Sequence, residues 1–149
     1  MNPALQMKRY FVNSVAFEMN DKFRPEANKA IQLNPSFKRT VIKVDDNNAI
    51  VKLTMELAHN EQLPFSMSAT VSGLFELAGW TMSDVLVKAL GDMSVNLLYP
   101  YLRALITNLT ANAGVPPYIL PVINVAALFR NQGESTGSVA TPINSDFSS

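Results

Sequence analysis

The fold of this chain is decided by Asn96-Leu97-Leu98-Tyr99-Pro100-Tyr101-Leu102-Arg103 and the residues C-terminal to it. The run continues through Ile106-Thr107 to Gly114, then Pro116-Pro117-Tyr118-Ile119-Leu120-Pro121-Val122, and closes with Asn124 and Ala127-Leu128-Phe129. Leu98, Leu102, Leu105, Ile106 and Leu109 recur at helical spacing, while Leu97, Tyr101 and Ala104 widen the stripe toward a second face. A helix apolar on two sides needs cover on two sides. One sheet supplies one cover, so a partner subunit is expected for the other. Pro100 either opens this helix or kinks a longer one. Gly114 suits a helix C-terminus, and Asn124 suits the N-cap of a short helix over 125–131. Between them, 115–122 carries too much Pro, Ile, Leu and Val for a solvated loop. Such a segment is either buried or waiting for a ligand.

Upstream the period changes. Residues 5–19 read as a strand, with Phe11, Val15, Phe17 and Met19 on one parity and Lys8, Tyr10, Val12 and Ser14 on the other. Pro25 and Pro35 interrupt 21–34, which reads as a connection with a helical turn near 26–30. Strands follow over 37–44, 49–59 and 65–72, with Val51, Leu53, Met55 and Leu57, then Phe65, Met67, Ala69 and Val71, alternating with polar residues. Asp45-Asp46-Asn47-Asn48 and Asn60-Glu61-Gln62 are turn chemistry, so the last three strands form an antiparallel meander. Residues 73–80 end the sheet. Met82, Val85, Leu86, Ala89, Leu90 and Met93 fall at helical spacing after a Thr81–Asp84 capping pair, and Gly91 interrupts that helix. The fold class is α+β: a four-stranded antiparallel sheet with two C-terminal helices. The domain spans 1–132, and the Ser/Thr/Gly-rich tail, 133–149, is expected to be disordered.

Composition narrows the function. Lys plus Arg and Asp plus Glu both number 12, so no net field attracts nucleic acid. Only 16% of residues are charged while 48% are apolar, against about 25% charged in an ordinary domain. More apolar surface is present than one core consumes. With no cysteine and one histidine, His59, neither a disulfide framework nor a zinc site is expected. There is no Gly-rich phosphate loop. Ser66, Ser68, Thr70 and Ser72 read as the wet face of a strand rather than nucleophiles, so no enzyme and no cofactor is expected. The first residues lack the apolar run of a signal peptide and no segment has the length of a membrane span, so the expectation is a cytoplasmic protein without membrane insertion.

The run from Asn96 to Arg103 resembles the Asn-x-Leu-x-Pro-Tyr-x-Arg of the SecB export chaperones. In that family an apolar helix-connecting loop comes next, then Pro-Val-Asn-Phe and Ala-Leu-Phe. Here Pro121-Val122-Ile123-Asn124-Val125 has one extra residue and no Phe, before Ala127-Leu128-Phe129. Phe23-Arg24-Pro25-Glu26 is similar to the family's Trp-x-Pro-Glu, Arg9 through Phe17-Glu18 to its first strand, and Gly73-Leu74-Phe75 to its Gly-Ile-Phe. The likeness covers about residues 8–132.

The resemblance implies a dimer of dimers, joined through first strands and long helices. It implies an ATP-independent holdase that keeps unfolded or precursor polypeptides in apolar grooves. Carried onto this chain, with Trp80 added from its own apolar character, the groove would include Phe23, Phe75, Trp80, Tyr118, Ile119, Leu120 and Val122. The family's export branch docks the SecA motor on the outer sheet face. Glu18 keeps that character, but Ser14, Ser66 and Ser68 stand where Asp, Leu and Glu are expected, which weakens a SecA surface. The other family role is protection of an antitoxin in a toxin–antitoxin pair. From residues alone, a carrier of a small apolar ligand and a purely structural oligomer remain alternatives.

Overall fold

A computed structural model describes residues 4–24, 31–78, 84–130, 136–138 and 141–143. The elements run β1 (Ala4–Met19), β2 (Ile31–Leu33), β3 (Ser36–Lys43), β4 (Asn48–Leu57), β5 (Phe65–Ala78), α1 (Asp84–Asn112), α2 (Ala126–Arg130), β6 (Thr136–Ser138) and β7 (Thr141–Ile143). The main sheet is antiparallel in the order β1-β5-β4-β3-β6, and β2 pairs separately with β7. The expected four-stranded antiparallel sheet is present, with β3, β4 and β5 as the meander and β1 beside β5. Trp80 and the turn expected at 26–30 lie outside the described residues.

Period two decides which face is buried. Val51, Leu53, Met55 and Leu57 of β4 and Phe65, Met67, Ala69 and Val71 of β5 are buried on the face that α1 covers. From α1 come Leu90, Val95, Leu98, Leu102 and Ile106, all buried in the same core. Each such aliphatic side chain contributes roughly 1.5–3 kcal/mol by leaving water. The hairpin between β3 and β4 closes as its residues dictate. Asn47 N–H donates to Asp45 Oδ1 (2.8 Å), Asn48 Nδ2 to the same oxygen (2.9 Å), and Val44 N–H to the Asn48 carbonyl (2.9 Å).

Several elements depart from the simple pattern, each for an identifiable reason. Strand β1 carries two register shifts against β5, between Met7 and Arg9 and between Val12 and Ser14. Each extra residue moves the following side chains to the other face. Leu5 and Met7, then Tyr10 and Val12, then Val15, Phe17 and Met19 therefore oppose the core-facing residues of β5, so constant parity along 5–19 does not hold. Strand β5 continues past Gly73 to Ala78 because β1 and β4 pair with it on both sides. Gly91 does not interrupt α1. It is buried there, and a Cβ at this position would lie 3.2 Å from Val41 Cγ2, so the glycine permits close approach of helix to β3. The helix also runs through Pro100, which is exposed. Gly114, at φ 87°, ends it as expected. In the tail expected to be disordered, 136–138 pairs with β3 and 141–143 with β2, since both carry open backbone edges.

Candidate functional site

The segment after Gly114 lies extended along α1, running antiparallel to it, and the helix supplies the partners a sheet would otherwise supply. Thr110 Oγ1 accepts from Tyr118 N–H (2.8 Å), and Thr107 Oγ1 donates to the Tyr118 carbonyl (3.2 Å). Arg103 Nε donates to the Leu120 carbonyl (2.8 Å), and Tyr99 Oη to the Pro121 carbonyl (2.7 Å). Beyond them Asn96 Oδ1 accepts from Ala126 N–H (3.3 Å), at the start of α2. Positions 96, 99, 103, 107 and 110 are spaced three and four apart, so these five side chains form one polar stripe on α1. Pro116, Pro117 and Pro121 have no N–H to satisfy, which leaves mainly carbonyls for the helix donors. Burial pushes the Tyr99 phenol up, with the Arg103 charge partly opposing and Tyr118 adding to the rise.

Pinned in this way, the loop alternates. Tyr118 and Leu120 point into the core at 1% and 0% exposure, while Ile119 and Val122 are 61% and 85% exposed. Of the other expected groove residues, Phe75 is fully buried, its ring covering Gly73 beside Met7. Phe23 is half-buried just after β1, with its N–H on the Asn20 carbonyl (3.1 Å). Within one chain, then, the apolar residues facing outward on the loop are Ile119 and Val122. Asn96, Tyr99, Pro100 and Arg103 of α1 and Val122 to Asn124 of the loop enclose an open cavity of about 300 Å³. Asn124 does not cap α2 with its side chain; Asn96 does, from the neighbouring helix.

A second apolar region flanks the first. The predicted outer stripe of α1, Leu97, Tyr101 and Ala104, is exposed, and Met93 one turn earlier is half exposed as well. Tyr101 stacks on Tyr10 of β1, with centroids 4.6 Å apart, and burial together with Tyr101 raises the Tyr10 phenol above its ordinary value. Beside this contact Val12, Val15 and Met19 of β1 are also exposed by more than 40%. Glu18, the expected docking residue, is exposed at the other end of β1. There it lines a cavity of about 380 Å³ with Glu56, His59, Ser66 and Ser68.

Sequence reasoning singled out the loop but missed the polar stripe that holds it. Its signal was present: Asn96, Tyr99, Arg103, Thr107 and Thr110 share one helical face. Among the described residues no group of three or more His, Cys, Asp or Glu could hold a metal ion. No described helix is long and apolar enough to cross a membrane.

An antiparallel sheet backed by one long helix, with an apolar loop strapped along that helix, defines an α+β scaffold that presents apolar side chains outward. The chain belongs to the SecB family: the family model for preprotein translocase subunit SecB matches residues 1–136. It is 37% identical over 135 residues to an uncharacterized protein of Methanocaldococcus jannaschii, covering 86% of this chain and 84% of that protein. It is 29% identical over 155 residues to the protein-export protein SecB of Xanthomonas campestris, covering 94% and 87%. Its fold matches the Mycobacterium tuberculosis SecB-like chaperone, solved with a ChAD peptide from the HigA1 antitoxin. That match has a TM-score of 0.66 at 17% identity and covers 80% of this chain and 90% of the other. The family is one of chaperones in protein export, a kind of protein that works by binding rather than by catalysis.

Proposed function

We propose that this protein is an ATP-independent holdase that keeps non-native polypeptides from aggregating. The observation that carries the reading is the outward display of Ile119 and Val122 on a loop whose backbone is already bonded to α1. Apolar attraction is non-directional, so such a surface accepts many sequences, and a pinned backbone loses little entropy when it binds. The groove is formed around Ile119 and Val122, with Phe23 at the sheet end. Tyr118, Leu120 and Phe75 support it from below, and Trp80 is a further proposed contributor.

The bare stripe of α1 and the exposed residues of β1 support assembly with further copies of the chain. Among the described residues β1 pairs only with β5, which leaves its other edge open. A dimer of dimers would cover both. Cytoplasmic residence, where precursors await export, goes with this role. Two client types are suggested by the relatives. Export precursors fit the SecB relatives; an antitoxin segment fits the ligand of the SecB-like chaperone. Glu18 alone keeps the acidic character of a motor-docking surface, beside Ser66 and Ser68, which stand where that surface expects Leu and Glu.

The test is suppression of aggregation of a chemically unfolded protein on dilution, without nucleotide. The reading expects suppression near one oligomer per client, lost on Ile119→Asp. An unaltered aggregation rate at every ratio would sink it. A monomer carrying one bound lipid would favour the carrier alternative.

A further inference from the structure

The cavity between α1 and the end of the loop holds a positive charge and several hydrogen-bond donors. Arg103 has five N–H donors; Nε is spent on Leu120, and the four on its two Nη groups have no partner among the described residues. Asn96 Oδ1 accepts from Ala126 N–H, and its two amide donors have no partner among the described residues. Tyr99 has given its hydroxyl proton to Pro121. Among the described residues no carboxylate lines this cavity to neutralise the Arg103 charge. Asn124, whose amide carries both donors and an acceptor, also lines the cavity, and Pro100, Val122 and Ile123 form its apolar wall. About 300 Å³ is the low end for a ligand site and suits a side chain or two.

We propose that this cavity is a subsite for a carboxylate next to an apolar side chain in a bound polypeptide. Arg103 and the Asn96 amide take the carboxylate, and Val122, Ile123 and Pro100 take the neighbouring side chain. The proposal rests on the holdase reading and gives it a sequence preference that apolar burial alone would lack. The occupant is chosen by charge complementarity. A positively charged corner with guanidinium donors to spare is satisfied by an acceptor with negative charge, and charge-assisted bonds to a guanidinium are the strong ones. The apolar wall disfavours a small free anion, which would lose hydration there without burying anything apolar.

The test uses two labelled peptides of equal length, extended and apolar, one with Leu-Glu and the other with Leu-Gln at the same place. Anisotropy titrations against the full chain should show the Glu peptide binding roughly five- to tenfold tighter at low salt, with the ratio shrinking as salt rises. Val122→Glu, at a position 85% exposed and so safe for folding, places a rival carboxylate at the mouth and should bring the ratio near one. Arg103→Lys keeps the charge without the fork and should lower the ratio partway. Equal binding of both peptides by the unaltered protein overturns the subsite and leaves the holdase reading standing. Binding of neither, with aggregation still suppressed, does the same. Failure both to bind and to suppress aggregation removes both readings. A changed oligomer mass in Val122→Glu with the peptide preference intact would assign the cavity to a second copy and overturn the proposal.

Discussion

Arg39 of β3 is ion-paired with Asp92 of α1, and its guanidinium carbon stands 5.0 Å from the centroid of the Phe129 ring of α2. Arg39 shares the core-facing parity of Phe37 and Val41, and its side chain is only 10% exposed. One buried cation thus joins the sheet, the long helix and the short helix. Gly91, one residue before Asp92, lets the helix come close enough.

Removing one member of this pair strands the other. Asp92→Ala is expected to lower stability by roughly 3 kcal/mol, since a largely buried charge would be left uncompensated. The double replacement Arg39→Met with Asp92→Ala should recover much of that loss. Urea unfolding of the three proteins measures both effects. A single-mutant loss no larger than that of an exposed pair, roughly 1 kcal/mol or less, would contradict this account.

The loop's attachment can be loosened one bond at a time. Thr110→Val deprives the buried Tyr118 N–H of its acceptor and should cost roughly 1–3 kcal/mol. Tyr99→Phe removes one bond to the Pro121 carbonyl and should cost about 1 kcal/mol. Hydrogen exchange at the Tyr118 amide should quicken in the first variant more than in the second.

The Tyr99 phenol also gives a pH signature. Its folded-state value is raised, mainly by burial, so the folded form holds its proton where the unfolded form has lost it. Its contribution is complete below about pH 10, the ordinary tyrosine value, and is lost as pH rises beyond that. Alkaline unfolding curves should therefore steepen above pH 10 in the native protein and less so in Tyr99→Phe.

Gly73 carries the Phe75 ring. A Cβ there would fall 2.6 Å from Phe75 Cε2 and 3.2 Å from the Met7 sulfur, so Gly73→Ala forces the ring to move. The expected loss is about 1–3 kcal/mol, relieved in part by pairing it with Phe75→Leu. Thermal melts of the single and double variants test this.

Assembly through β1 and α1 makes a prediction about mass. Val15→Glu charges an exposed position on the open strand, and should move the protein toward the 16.4 kDa single chain in light scattering without a loss of more than about 0.5 kcal/mol in stability. An unchanged mass would place the contact elsewhere.

Much of this molecule was legible in its residues. Period-two alternation in 49–57 and 65–71 selected the buried face, because β4 and β5 keep one register with each other along these residues. Helical spacing at Leu98, Leu102 and Ile106 selected the core stripe of α1, and Gly114 its end. The second apolar stripe, with Leu97 and Tyr101, was also readable, and it is the stripe left bare. What local pattern could not contain was pairing between distant positions. The two bulges of β1 depend on its partner strand, and they reassign Tyr10 and Val12 to the helix side. The division of 115–122 into buried Tyr118 and Leu120 and outward Ile119 and Val122 depends on bonds from Tyr99, Arg103, Thr107 and Thr110. Composition announced that the loop was sticky. Only the helix beneath it decided which of its side chains face water, because an extended backbone has no preferred face until something bonds to it.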